Sequence, residues 1–129
     1  MGFQIVKETY AGSIKPITIG KGKKAVTVGG QNCYPFYLFE GNMPNTPKVA
    51  MEIWDMEPTG WAEAAKKPFA DVLSDPAAWA KKCVKDFGAD MIVLQLKSTD
   101  PNDKDASPED AVKTVKKVLK AIDVPLLVW

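Results

Sequence analysis

The 129-residue sequence contains no histidine, and every one of its 17 basic residues is lysine, so arginine is missing too. Without imidazole there is no Ser-His or Cys-His nucleophilic pair, no imidazole general base and no imidazole ligand for zinc, iron or cobalt. Without guanidinium there is no bidentate fork for phosphate, carboxylate or guanine. The 17 lysines face 16 acidic residues, and a net charge of +1 leaves little electrostatic footprint for a nucleic-acid backbone. Cysteine is scarce: Cys33 and Cys83 have no neighbours at metal-ligand spacing, and two thiols fall short of the roughly four that hold an iron-sulfur cluster. A disulfide between them is not expected in a reducing compartment. Long apolar runs are also lacking. Met91–Leu94 and Val124–Trp129 fall far short of the roughly 18 residues a membrane helix needs, and the first residues show no secretory pattern. A cytoplasmic chain that crosses no membrane and binds no nucleic acid is the expectation. What is present, 46% hydrophobic and 26% charged residues, suits a globular fold.

Residues 1–48 differ from the rest. Six of the lysines lie there against only Glu8 and Glu40, which leaves the remainder acidic. Ile17-Thr18-Ile19 and Ala25-Val26-Thr27-Val28 flank Gly20-Lys21-Gly22-Lys23-Lys24, the pattern of a β-hairpin with solvated lysines in its turn. This loop has neither the spacing nor the following helix of a phosphate-binding loop. After the hairpin, Gly29-Gly30-Gln31-Asn32-Cys33 leads into Tyr34, Phe36, Tyr37 and Phe39. Amides beside aromatics can pack on a partner or a planar ligand, or simply cap one end of a core. Glycine and proline here are enough to make the backbone irregular.

From Val49 the pattern is β-α-β-α-β, with apolar runs at Val49–Trp54, Met91–Leu96 and Pro125–Trp129. The first clear helix is marked by Asp75 as cap, Pro76, an apolar stripe of Trp79, Ala80, Cys83, Val84 and Phe87, and Gly88 after it. The second has Ser107 as cap, Pro108, then Glu109 and Asp110, with Ala111, Val112, Val115, Val118, Leu119 and Ile122 at helical spacing and lysines outside. Crossover helices imply parallel strands with both faces covered. Glu52 and Gln95 break that rule. A carboxylate within a buried strand is costly unless paired, so Glu52 either lines a cavity or has a partner.

Ligands of parallel α/β folds meet the loops at the carboxyl ends of the strands. One such loop, Asp55–Ser74, carries Asp55, Glu57, Thr59 and Trp61, with a short helix possible over 62–66. The other opens on Lys97-Ser98-Thr99-Asp100. Turn formation and capping are the ordinary uses of Asp55 and Asp100 beside proline and small residues. Repeats of about 34 to 42 residues between strand starts suit the unit of an eight-stranded barrel. A small complete sheet competes with an incomplete barrel, and the incomplete barrel is the expectation. Such a piece, apparently truncated after the third barrel strand, would expose sheet edges and tend to aggregate.

A series of runs across the chain carries a resemblance. These are Val28-Gly29-Gly30, Pro35-Phe36, Phe39-Glu40-Gly41, Met51-Glu52-Ile53-Trp54-Asp55, Pro68-Phe69-Ala70-Asp71-Val72, Trp79-Ala80-Lys81-Lys82-Cys83-Val84, Gly88-Ala89-Asp90 and Val124-Pro125-Leu126-Leu127-Val128. In order and spacing they resemble the small subunit of the corrinoid iron-sulfur protein, which in methanogenic archaea is similar to the delta subunit of acetyl-CoA decarbonylase/synthase.

The resemblance implies an α/β fold, the N-terminal part of a TIM (β/α)8 barrel over residues 49–129 preceded by a hairpin and irregular segment over residues 1–48. It implies a non-catalytic methyl carrier in the reductive acetyl-CoA (Wood-Ljungdahl) pathway of anaerobic carbon fixation. In a heterodimer with a large subunit, a corrinoid (cobalamin) would sit at the interface and the iron-sulfur cluster on the large subunit only. Cobalt would receive methyl from a methyltetrahydrofolate-dependent methyltransferase and pass it to acetyl-CoA synthase/carbon monoxide dehydrogenase. Barrel geometry, rather than any family motif, nominates Asp55, Glu57, Gln95, Lys97, Ser98 and Thr99 as corrinoid contacts, with no catalytic residue and no metal ligand. The competing expectations are a pterin-binding TIM barrel methyltransferase acting on methyltetrahydrofolate and a compact α/β interaction domain.

Overall fold

The computed structural model describes residues 2–129. Contacts divide the chain into one unit of residues 1–19 and 26–47 and another of residues 20–25 and 48–129. In the first, β1 (Ile17–Ile19) pairs antiparallel with β2 (Val26–Val28), Thr18 opposite Thr27, and the two hydroxyls lie 3.0 Å apart. β-branched residues at these positions favour the pleated conformation. The other described residues of this unit form no helix or strand.

In the second unit, β3 (Ala50–Trp54), β4 (Met91–Gln95) and β5 (Leu126–Val128) form a parallel sheet in that order, with Glu52 beside Val93 and Val93 beside Leu127. A short α1 (Glu63–Lys66) and α2 (Pro76–Lys85) lie between β3 and β4, and α3 (Pro108–Ala121) lies between β4 and β5. α2 packs on α3 and against β3 and β4. Both long helices start where the sequence places a cap. The Asp75 carboxylate accepts from Ala77 N and Ala78 N, and the Ser107 hydroxyl accepts from Asp110 N. These bonds satisfy orphan N–H groups of the first turn, and a proline at the next position adds none to satisfy. After α2, Gly88 adopts φ +68°, a left-handed conformation that glycine enters without steric cost, and Ala89 N closes back on Cys83 O.

The core joins Ile53, Ile92 and Leu94 of the sheet to Trp79, Ala80 and Cys83 of α2 and to Val118 and, just past α3, Ile122. Burial pushes the Cys83 thiol up to about 11. Both cysteines are buried and free. The Trp79 indole N–H is buried without an oxygen partner, among the rings of Trp61 and Phe69 at 5.8 and 5.9 Å. Three residues of the expected helical stripes lie outside the core. Val112 and Leu119 are about half exposed on α3, and Phe87, past the end of α2, is half exposed against Phe69. A 3.6-residue period admits a wide stripe, and only its centre line at 111, 115, 118 and 122 turns inward.

The expected TIM barrel portion is not what forms. The strands make two separate small sheets, one of two antiparallel strands and one of three parallel strands, with no closed barrel among the described residues. This is a small α/β fold. The sequence pattern cannot separate the two outcomes, because barrels and open sheets share the same β-α-β crossover. Closure instead requires edge strands that find each other. Among the described residues β3 and β5 each pair only with β4. Nor are both sheet faces covered. Glu52 is exposed, so the burial on which both expectations for it rested is absent, and its carboxylate accepts from Trp54 Nε1 at 3.1 Å at the surface. No helix among the described residues is long and apolar enough to cross a membrane.

Candidate functional site

The carboxyl ends of β3 and β4 are tied by a single carboxylate. Asp55 N extends the ladder to Gln95 O at 3.1 Å, which fixes the backbone and turns the Asp55 side chain toward the next loop. Its Oδ1 accepts from Ser98 N at 2.9 Å and its Oδ2 from Ser98 Oγ at 2.5 Å. Ser98 is only 6% exposed, so this acceptor replaces the water its N–H and O–H have lost. Ser98 sits in a tight helical turn, Lys97–Thr99, closed further by Thr99 Oγ1 on Leu96 O at 2.7 Å and by Ala106 N on Ser98 O at 2.8 Å.

On the open side of that turn, Lys97 Nζ meets Asp100 Oδ2 at 2.9 Å. The Asp100 carboxylate holds the ammonium pKa above its usual value. Its own pKa is lowered by Lys97 first and by the Asn102 N–H second. Both stay charged across the physiological range, so the pair is suited to holding a polar ligand and not to moving a proton. The β5 end joins through Leu96 N on Trp129 O at 2.9 Å and Trp129 N on Leu94 O at 3.1 Å. Gln95, Leu96, Lys97, Thr99, Asp100 and Trp129 line an open cleft of about 270 Å³.

The six nominated residues therefore separate by position. Gln95, Lys97 and Thr99 line the cleft, Asp55 and Ser98 form the tie between the two strand ends without lining it, and Glu57 is exposed and does not line it. Sequence reasoning gave Asp100 a turn and capping role, which its acceptance from Asn102 N at 2.9 Å bears out, but nominated neither it nor Trp129 for the site. The i, i+3 spacing of Lys97 and Asp100 was a usable signal for the first. Nothing local marks the second, which reaches the cleft through strand register. Among the described residues no group of three or more cysteine and carboxylate side chains is placed to hold a metal ion.

The chain matches the family model for the CO dehydrogenase/acetyl-CoA synthase delta subunit over residues 16–129. It is similar to the acetyl-CoA decarbonylase/synthase complex subunit delta of Methanocaldococcus jannaschii, 43% identical over 94% of this chain and 31% of that protein. The subunit delta of Archaeoglobus fulgidus is 39% identical over 98% of this chain and 29% of that protein. Subunit delta 1 of Methanosarcina thermophila is 45% identical over 84% and 24%. The chain thus spans less than a third of the length of these relatives. The match over residues 16–129 includes both the hairpin strands and the cleft at the strand ends, and the chain belongs to the CO dehydrogenase/acetyl-CoA synthase delta subunit family.

Proposed function

We propose that this chain serves as the small subunit of a corrinoid iron-sulfur protein, a cytoplasmic methyl carrier in the acetyl-CoA pathway and not itself the methyl-transferring enzyme. The carrying observation is the family match over residues 16–129, which takes in the cleft at the strand ends. The corrinoid would lie between this chain and a large subunit that holds the iron-sulfur cluster. When bound, it supplies a cobalt centre that accepts and releases a methyl group. The methyl would come from a methyltetrahydrofolate-dependent methyltransferase and go to acetyl-CoA synthase/carbon monoxide dehydrogenase.

The residues present fit the amide-bearing rim of such a ligand better than its metal. Gln95 offers a carboxamide, Thr99 a hydroxyl oxygen and Lys97 an ammonium already neutralised by Asp100, and Trp129 adds a flat apolar surface. The sequence has no imidazole to offer cobalt. Asp55 and Ser98 hold the turn that presents Lys97 and Thr99, and the open cleft of about 270 Å³ suits a ligand lying across it.

The test is substitution in the heterodimer, prepared anaerobically. Gln95→Ala and Lys97→Ala should lower corrinoid retention, read from the visible spectrum per heterodimer, while leaving the subunits associated. Unchanged retention and unchanged methyl transfer in both variants would remove these residues from the site. Tight binding of methyltetrahydrofolate by the chain alone would instead favour a pterin-binding enzyme.

A further inference from the structure

A second opening is lined only by residues of the unit of residues 1–19 and 26–47. The β1–β2 ribbon continues past its strands through Gly30 N on Ile14 O and Ile14 N on Gln31 O, each 2.8 Å. Beyond that point the two arms part, and no backbone group of residues 9–13 makes a hydrogen bond to another described residue. The arms meet again at the Tyr10 and Tyr34 rings, edge to face at 5.3 Å. There Glu40 latches the first arm, accepting from Tyr10 Oη at 2.5 Å and from Glu8 N at 3.1 Å. The opening between them is a cavity of about 400 Å³ lined by residues 9–14 and 31–35.

Its chemistry is specific in what it offers. It is an open groove, most of its lining residues exposed, and no lysine, aspartate or glutamate lines it, so a charged guest would find no partner of opposite sign there. Polar groups are present as donor–acceptor pairs: the unbonded backbone of the first arm, the Thr9 and Ser13 hydroxyls and the Gln31 carboxamide. Ile14, Tyr34 and Pro35 supply apolar and aromatic surface. The volume falls within the range of small-molecule sites. Asn32 and Cys33 of the opposite arm are closely packed, since a Cβ on Gly41 would stand 2.6 Å from Asn32 Oδ1 and 2.8 Å from Cys33 Cβ. Gly12, by contrast, has nothing within 4 Å of the place its Cβ would occupy.

We propose that this cavity is a binding site for a small uncharged ligand that carries a carboxamide on a planar apolar body. The site is independent of the corrinoid reading, and its test does not touch the strand-end cleft. Benzamide is the probe and benzoate its charged isostere, each titrated into the chain with amide chemical shifts read by NMR. Benzamide should bind with a Kd of about millimolar, the strength expected of so small a ligand. Its shifts should be confined to residues 9–14 and 31–34, and benzoate should bind at least about tenfold more weakly. Gly12→Leu, which adds bulk at a lining position with free space around its Cβ, should weaken benzamide at least about tenfold with the remaining spectrum unchanged; Ser13→Leu replaces it should that variant not fold. Absence of benzamide shifts, equal binding of benzoate, or shifts insensitive to the filling variant would each overturn the proposal.

Discussion

Replacing Asp55 by alanine removes the acceptor of two bonds to Ser98, one from its N–H at 2.9 Å and one from its hydroxyl at 2.5 Å. A hydrogen bond to a charged group is worth about 1.5–3 kcal/mol, and the cost of leaving a buried donor unsatisfied is of similar size. Ser98 is buried but Asp55 is half-buried, so water reaching the vacated side recovers part of the loss. The expected destabilisation of Asp55→Ala is therefore about 2–4 kcal/mol, below the full value of two bonds. Asp55→Asn keeps one acceptor and should cost about half as much. Ser98→Ala deletes only the hydroxyl bond and should cost about 1–2 kcal/mol. In the double variant the hydroxyl bond can be lost only once, so the cycle should show a coupling of about 1–2 kcal/mol. Urea unfolding followed by tryptophan fluorescence measures all of these at constant slope, with Trp54 and Trp79 reporting on the sheet and the core. If Asp55→Ala and Ser98→Ala both fall within about 0.5 kcal/mol of the parent and show no coupling, the tie does not hold the two strand ends together. The account of how the cleft is built would then be wrong.

Other expectations rest on single features. Cys83, raised to about 11, stays protonated in the folded chain at pH values where the unfolded thiol ionises. Its contribution is full below the unfolded value near 9.0 and is lost as pH rises toward 11, a fall of about 2 kcal/mol that Cys83→Ala should abolish in unfolding curves. At the acid end, Asp75 is lowered chiefly by Lys117 and Asp90 chiefly by the Val49 N–H. Their stabilisation is present above the usual carboxylate range and declines as pH falls through it, so a urea midpoint that does not fall below about pH 4 would contradict these contacts. Val118→Ala, at a fully buried position between α3 and the core, should cost about 1.5–3 kcal/mol by calorimetry or urea unfolding. Gly41→Ala forces a methyl against Asn32 and Cys33 and should cost about 1–3 kcal/mol in the same assays, where a neutral result would mean the turn yields easily.

Features set by neighbours in sequence were legible before the structure. The Asp75-Pro76 and Ser107-Pro108 starts, the glycine after α2 and the paired runs of β1 and β2 are local signals, and the structure realises each where it was expected. Features set by chain closure were not. Whether β-α-β units become an open sheet or a barrel depends on what the edge strands meet, which no window of residues encodes. The strand-end site shows the same division. Lys97 and Asp100 sit one turn apart and could have been paired from spacing, but the Asp55–Ser98 tie joins positions 43 residues apart. Lys24, in the hairpin loop, donates to Ile122 O at 3.0 Å across 98 positions, and the sequence marked it only as a solvated turn lysine.

The measurement that bears most directly on the central claim is anaerobic co-expression of this chain with its candidate large subunit, followed by co-purification and a visible spectrum. A stoichiometric pair with corrinoid absorption is the predicted result. A chain that purifies alone, ignores the large subunit and carries no corrinoid into any complex would contradict the methyl-carrier account.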